Sequence, residues 1–265
     1  MSENNIAEVI ANDISAYKGE NMIAVISAKH GCGKTWVSVT LAQVLSGYKK
    51  KVLLVDAAKG SNNVKMQLGL QDKADLDKVI YGGHSLNQVI IPYNKGRFDV
   101  ILGNAFSSCL STMSQGGLQI FAGDINIVSQ NYDITILDID SGEQKMIDAL
   151  AGMAKKVIIV INDSVSSLVD GYELVRYFTK HYPQSQLNIV VNYTNSQKEG
   201  LRAYDALGAT CMQNLGYAPK LLGIIRQDAR VRDSIRSQST IINRYPDSEA
   251  SIDVIEIGRK ILELL

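Results

Sequence analysis

A loop with two glycines, a lysine and a threonine follows the first apolar segment of the chain. Residues 28–35 read Ala-Lys-His-Gly-Cys-Gly-Lys-Thr. Gly31 and Gly33 let the backbone curl so that its N–H groups point inward, which is the arrangement that holds phosphate oxygens. Lys34 would bring a positive charge to the β- and γ-phosphates of a nucleotide, and Thr35 would offer a hydroxyl to Mg²⁺. A helix that begins at Thr35 adds the positive end of its dipole.

The context of this loop is that of a Walker A motif. A predicted strand leads into it and a helical pattern follows it. The strict motif is not met, because Ala28 stands where the first glycine is expected. A glycine turn that happens to precede Lys34 is the alternative, but strand, loop and helix together favour a phosphate site. We predict ATP with Mg²⁺ as the ligand, and the predicted contacts in this segment are Lys29, His30, Gly31, Cys32, Gly33, Lys34, Thr35 and Trp36.

An acidic residue, Asp138, ends a predicted apolar strand over residues 132–138. An acid in this place is the Walker B arrangement, in which a carboxylate holds Mg²⁺, usually through water. A helix N-cap is the alternative role for Asp138. Asp140 lies two residues further on, and a solvated loop or N-cap position is favoured for it over a catalytic role.

Short apolar segments alternate with helical patterns along the whole chain. Several are apolar on both faces, as at 157–161 (Val-Ile-Ile-Val-Ile), which is typical of strands buried in a parallel sheet. Right-handed crossovers then give an α/β, doubly wound, mostly parallel sheet of seven to eight strands with helices on both faces. Such sheets bind ligands beyond the carboxyl ends of their strands. The predicted strands cover 22–28, 51–56, 99–102, 132–138, 156–161, 187–192 and 221–225, and the main helical patterns cover 36–45, 164–177 and 199–215.

Composition bounds the organisation and the partners. The 265 residues, 46% of them hydrophobic, suffice for one core, so residues 21–265 are predicted to form one domain after a tail or short helix over 1–20. Residues 69–92 are predicted to form surface helices and turns. Lys plus Arg and Asp plus Glu both number 27, so no global charge draws the chain to nucleic acid or anionic lipid.

The cysteines and the N-terminal segment bear on the compartment. Cys32, Cys109 and Cys211 form no C-x-x-C pair, which argues against a metal site or a disulfide framework and suits a reducing compartment. The polar N-terminal segment has no signal-peptide pattern, and no apolar run is long enough to span a membrane. We expect a cytoplasmic protein, with peripheral attachment to the inner face of the membrane as the alternative.

The phosphate loop resembles the deviant Walker A loop of the MinD/ParA family of P-loop ATPases, written Lys-Gly-Gly-x-Gly-Lys-Thr. His30 and Cys32 replace the family's glycine and small aliphatic residue. In that family the first lysine, here Lys29, reaches across a nucleotide-sandwich dimer to the partner's phosphates. The resemblance implies an ATP-dependent homodimer in which Lys29 acts in catalysis. A solvated surface lysine is the alternative.

The segment after the second strand resembles the family's first switch, Asp-Ala-Asp-x-Gly-x-x-Asn. Asp56 matches the first aspartate, and the resemblance gives it a catalytic role and a role in holding Mg²⁺. Ala58 stands at the second aspartate, the carboxylate that positions the attacking water in the family. Lys59 follows, and a protonated lysine cannot serve as that base. The resemblance therefore implies ATP binding with slow or lost hydrolysis.

Two further strand ends resemble the part of the family's site that holds the base. Asn192 matches the position whose amide, as both donor and acceptor, reads the adenine edge. A turn residue after a strand is the alternative. The next strand resembles the family's Leu-Leu-Gly-x-Ile-Pro-x-Asp loop, which packs against the base. Arg226 replaces the proline and Asp228 is retained.

The order and spacing of segments in the distal half resemble the FlhG (FleN) group of MinD-like proteins, which control flagellar number. This implies flagellar or polar assembly partners, such as a FlhF-like GTPase or a transcription regulator. The group's N-terminal activator motif is not evident, and its C-terminal membrane-targeting helix is absent or very short. The helical pattern over 251–265 carries too few basic residues for a membrane-surface helix, so core packing is favoured over membrane contact.

Two other classes of protein share this kind of phosphate loop, and each suggests an alternative function. A ParA-like partition ATPase would ride on nucleoid DNA, and Arg226, Arg230, Arg232 and Arg236 could form the basic patch. Interleaved acids and the neutral chain favour a solvated helix face, so DNA is not expected as a partner. A cluster carrier of the nitrogenase iron protein class would need paired cysteines, which are not evident.

Overall fold

The computed structural model describes residues 19–27, 31–58, 64–71, 75–103, 109–139 and 144–265. Eight strands in these ranges form one sheet in the order β3-β4-β2-β5-β1-β6-β7-β8. Every neighbouring pair is parallel except β3 with β4. The strands are β1 (Gly19–Ile26), β2 (Val52–Ala57), β3 (Ile90–Tyr93), β4 (Phe98–Ile101), β5 (Ile134–Ile139), β6 (Ala154–Ile161), β7 (Gln186–Thr194) and β8 (Lys220–Arg226).

Helices cover both faces of this sheet. α6 continues as a π-helix over Ile147–Ala151, and a 3-10 helix spans Leu86–Val89. The helices are α1 (Lys34–Gly47), α2 (Val64–Leu68), α3 (Leu76–Ile80), α4 (Cys109–Thr112), α5 (Gln115–Ser129), α6 (Gln144–Met146), α7 (Val165–His181), α8 (Gln197–Leu215), α9 (Ala229–Arg236), α10 (Ile241–Arg244) and α11 (Glu249–Glu263). The predicted doubly wound α/β fold is confirmed.

The inner strands are buried on both sides, as their double-faced apolar sequences require. All six residues of β2 and all six of β5 are buried. Alternate residues of these strands enter two separate cores. One core lies under α5, α7 and α8, and the other under α1, α10 and α11. β1 is hydrogen-bonded to β5 and β6, so the loop after β1 emerges at the middle of the sheet edge.

One strand was not predicted. β3 runs antiparallel to β4 at the edge of the sheet, with Tyr93 opposite Phe98, inside a stretch predicted to hold only helices and turns. Pro92 lies within it, and proline removes a hydrogen-bond donor that an inner strand would need. An edge strand tolerates proline, because its second side has no ladder to complete. The short segment with a proline therefore gave no strand signal.

The C-terminal helix packs into the core, as the favoured interpretation predicts. α11 lies against β8 and α1 and buries Val254, Ile257 and Ile261. Ile257 fits so closely over β8 that a Cβ at Gly223 would lie 2.3 Å from its Cγ1. Through the described ranges of the chain, none of the helices has the length and apolar character needed to cross a membrane.

Candidate functional site

The loop after β1 passes directly into α1. Gly31 and Gly33 have φ angles of 88° and 85°, a left-handed conformation that glycine adopts without strain. Gly33 is the N-cap of α1, no side chain among the described residues caps the helix, and its first turn carries no acidic residue. Its first N–H groups are therefore available to an anion. Predicted contacts at Lys29 and His30 lie outside the described residues.

Lys34 and Asp138 form an ion pair at the start of α1. Lys34 Nζ lies 3.1 Å from Asp138 Oδ1, with side-chain exposures of 11% and 0%. Ser38 donates a hydrogen bond to the same oxygen at 3.2 Å. Ser38 was not predicted as a site residue, although it lies one helical turn after Lys34 and so shares its face. The pair fixes the lysine of α1 against the end of β5.

Asp56 lies beside Asp138, because β2 and β5 are parallel neighbours with these two residues in register. Asp56 is fully buried and accepts hydrogen bonds of 3.3 Å from the N–H groups of Ala58 and Val64. Burial and then the charge of Asp138 raise the pKa of Asp56 to about 7, while Lys34 and the two N–H donors oppose the rise. The site thus places two carboxyl groups side by side, with the ammonium group of Lys34 paired to one of them.

This carboxylate pair fits a divalent cation. Asp138 Oδ2 is buried and has no hydrogen-bond partner within the described part of the chain. A second oxygen-rich group, Asp56, adjoins it, and Mg²⁺ takes oxygen ligands from one or two carboxylates together with substrate phosphates. Asp56 and Asp138 are therefore the residues that would hold Mg²⁺, with the Thr35 hydroxyl in the first turn of α1 as the third predicted ligand. That ligand set stays a prediction.

Ala58 follows the end of β2 and presents only a methyl group. Its N–H donates a hydrogen bond to Asp56 Oδ1 at 3.3 Å. Nothing in its side chain can orient a water molecule or accept a proton. Lys59 and Asp140, which follow strands β2 and β5, lie outside the described residues.

Asn192 at the end of β7 contacts the phosphate loop. Its side-chain Nδ2 donates to the carbonyl oxygen of Cys32 at 2.8 Å, and the side chain is buried. A Cβ on Gly33 would lie 2.3 Å from the same nitrogen, so only glycine fits there. On the other side of the loop, Cys32 Sγ lies 3.6 Å from Ser167 Oγ of α7. The structure thus places Asn192 at the phosphate loop, and its role at the base stays a prediction.

Comparison with known proteins shows the family to which this chain belongs. The chain matches the CobQ/CobB/MinD/ParA nucleotide binding domain family over residues 23–241. This chain belongs to the MinD/ParA family. It is 30% identical over 242 residues to the antiactivator FleN of Pseudomonas aeruginosa, covering 91% of this chain and 85% of FleN. The predicted resemblance to MinD/ParA proteins and to the FlhG (FleN) group is confirmed.

Solved structures of the family share the fold. The MinD cell division ATPase of Pyrococcus furiosus superimposes with a TM-score of 0.78 at 19% identity, covering 92% of this chain and 99% of that one. The MinD of Pyrococcus horikoshii, solved with Mg-ADP, gives a TM-score of 0.77 at 20% identity and covers 92% and 96% of the two chains.

This member of the MinD/ParA family departs from the expected base site at Arg226. The Arg226 guanidinium makes a two-pronged hydrogen-bonded pair with Asp253 of α11, through Nε at 3.0 Å and a terminal nitrogen at 2.9 Å. Its other terminal nitrogen pairs with Glu249. Asp228 caps α9, accepting from the N–H of Arg230. No sequence motif links Arg226 to acids more than 20 residues away, so these partners were missed.

Trp36 also serves the core in this structure. Its side chain is buried and joins the core under α1, and its Nε1 has no hydrogen-bond partner in the described ranges. A nucleotide contact by Trp36 would therefore use its main-chain N–H. Contacts of Trp36, Arg226 and Asp228 with a nucleotide stay predictions.

Proposed function

We propose that this MinD/ParA-family protein is an ATP-binding dimerisation switch of the FlhG type, which regulates flagellar number or polar assembly and hydrolyses ATP slowly or not at all. One observation carries the proposal. Lys34 and the buried Asp138 and Asp56 lie together at the start of α1, which no described side chain caps, while Ala58 beside them offers no carboxylate.

Each residue of the cluster has a separate task in binding. The free N–H groups at the start of α1 would receive phosphate oxygens, since they point along the positive end of the helix dipole. Lys34 would add a positive charge at the terminal phosphates. Asp56 and Asp138 would hold Mg²⁺, which neutralises phosphate charge when bound. MinD of Pyrococcus horikoshii, a relative in fold, was solved with Mg-ADP, which supports this ligand.

Slow or absent hydrolysis follows from the residue at position 58. Hydrolysis needs a group that orients the attacking water at the γ-phosphate, in line with the oxygen of the departing ADP. The family uses a carboxylate there, and this chain has a methyl group. Binding does not depend on that carboxylate, so the nucleotide would remain bound as ATP for longer than in relatives that carry it.

Dimerisation is inferred from the phosphate loop. Lys29 stands at the position of the lysine that crosses to the partner subunit in the family. A nucleotide that binds the dimer more tightly than the monomer stabilises the dimer, so dimer formation would be strongly linked to ATP. The relative FleN is named an antiactivator, which favours an activator protein as the partner of the dimer. A flagellar transcription regulator fits that description, and a FlhF-like GTPase is the partner that the resemblance to the FlhG group alone implies.

Light scattering coupled to size-exclusion chromatography tests the switch. The molar mass should double on addition of ATP and Mg²⁺, because the ligand completes the interface. Lys29→Ala should bind ATP and remain a monomer, whereas Lys34→Ala should lose ATP binding as well. A wild-type protein that binds ATP and stays monomeric would contradict the proposal.

A partition ATPase on nucleoid DNA is the second candidate. Arg232 and Arg236 are exposed one turn apart on α9, and neither forms an ion pair within the residues that the structure describes. Arg226 is held by Asp253, and Arg230 lies over the Tyr245 ring. Only part of the predicted patch is therefore free to meet phosphates. Salt-sensitive, ATP-dependent retention on duplex DNA would favour this candidate over the first.

A further inference from the structure

The end of β7 contains a bulge beside the phosphate loop. Val191 pairs with Ile224 of β8, and Thr194 pairs with Arg226, so three steps along β7 match two along β8. The extra residue falls at Asn192–Tyr193. Bulges of this kind occur next to active sites, where they re-aim a side chain.

Tyr193 has the backbone conformation that produces the bulge. Its φ is 64°, in the left-handed region that glycine and asparagine enter readily and that is unfavourable for a bulky residue such as tyrosine. Residues kept in this conformation persist where the surrounding structure enforces them, and they cluster at functional sites. The tyrosine side chain is 37% exposed, so core packing does not explain its presence.

The bulge brings two neighbouring side chains to the same place. Successive side chains of a regular strand point to opposite faces of the sheet. Here Asn192 and Tyr193 both reach Gly33 of the phosphate loop. A Cβ on that glycine would lie 2.3 Å from Asn192 Nδ2 and 3.7 Å from Tyr193 Cε2. The ring therefore borders the loop at the residue that caps α1, with part of its surface open to solvent.

We propose that Tyr193 is a base-binding residue whose ring stacks on the nucleobase of the bound nucleotide. A base beside the amide of Asn192 would lie next to the exposed part of the ring. An aromatic face stacks on a purine through its π-surface, so the contact needs the ring and not its hydroxyl. This inference rests on the proposed function, because it requires a nucleotide on the phosphate loop.

Calorimetric titration separates the base from the phosphates. Mg-ATP and Mg-tripolyphosphate are titrated into the wild type, Tyr193→Phe and Tyr193→Gly. Stacking on one base accounts for about a 5- to 150-fold change in affinity. Tyr193→Gly should bind Mg-ATP that much more weakly and Mg-tripolyphosphate equally well, whereas Tyr193→Phe should bind both as the wild type does. Glycine suits the left-handed backbone, so the melting temperature should stay the same or rise.

Tyr48 supplies a matched control. It has a similar exposure, 42%, and lies at the far end of α1 from the phosphate loop. Tyr48→Ala should therefore bind both ligands as the wild type does. Unchanged Mg-ATP affinity in Tyr193→Gly would overturn the stacking role and leave the proposed function standing. Equal losses for both ligands would also overturn it, since the ring would then act on the loop. A wild type that does not bind Mg-ATP would overturn the proposed function itself.

Discussion

Asp56 and Asp138 lie side by side because β2 and β5 are parallel neighbours and the two aspartates are paired in the register of these strands. Neither carboxylate is exposed, and Lys34 bonds to Asp138. Burial and the neighbouring charge therefore hold the pKa of Asp56 near 7. A proton on Asp56 relieves the repulsion when no cation is bound.

The raised pKa makes stability depend on pH. Because the folded-state pKa lies above the unfolded value, Asp56 contributes stability below about pH 4, and this contribution is lost as pH rises through about 7. Asp56→Asn should therefore be more stable than the wild type at pH 8 without metal or nucleotide. The difference should reach up to about 4 kcal/mol, because each unit of pKa shift corresponds to about 1.4 kcal/mol. Urea denaturation in a chelating buffer measures this difference.

The comparison at low pH supplies the control for Asp56→Asn. The two proteins should approach equal stability near pH 4, because the wild-type carboxyl group is then as neutral as the asparagine amide. Asp124→Asn, at an exposed position of α5, should follow the wild type throughout. Parallel profiles for wild type and Asp56→Asn from pH 4 to 8 would mean that the carboxylate pair is not electrostatically strained.

The end of β8 is fastened to α11 by Arg226 and Asp253. Asp253 accepts from both the N–H and the guanidinium of Arg226, and Gln197 of α8 donates to it as well. One carboxylate thus ties together a strand end and two helices beside the predicted base site. Its side-chain exposure is 6%, so water does not readily replace these bonds.

Removing this carboxylate should loosen the C-terminal helix. Asp253→Ala removes the acceptor of three Arg226 hydrogen bonds and of one Gln197 hydrogen bond, which should lower the free energy of unfolding by about 1–3 kcal/mol. Arg259→Ala removes exposed pairs with Glu256 and Glu263 on the same helix and should leave the free energy of unfolding almost unchanged. Chemical denaturation compares them. Equal effects would show that the Asp253 network adds no more than a surface pair.

The sequence predicted elements where the pattern was local. Seven strands were identified because buried parallel strands are apolar on both faces, as at β6. β3 was not predicted, because it is a short edge strand and Pro92 within it disfavours a strand prediction. Lys34 and Asp138 were identified from two separate motifs, although the ion pair between them was not predicted. Ser38 and Asp253 did not, because their roles depend on which side chains the fold brings together across about 30 to 100 residues.

The position of the site follows from the order of strands in the whole molecule. β1 lies between β5 and β6 near the middle of the sheet, so its loop emerges beside the carboxyl ends of strands on both sides. Asp138 reaches it from one neighbour, and Asn192 reaches it from two strands away on the other side. A nucleotide at this edge would therefore contact elements from both halves of the chain.

The central claim is that this protein binds ATP but hydrolyses it slowly or not at all because of Ala58. Comparing the rate of ATP turnover by the wild type with that of Ala58→Asp tests this claim most directly. Both proteins should bind Mg-ATP, because position 58 is not needed for binding. The wild type should release phosphate very slowly or not at all, and Ala58→Asp should release it at least about tenfold faster, since a positioned acid–base group is worth roughly 10²–10⁴ in rate. A wild type that turns over ATP as fast as Ala58→Asp would contradict the account.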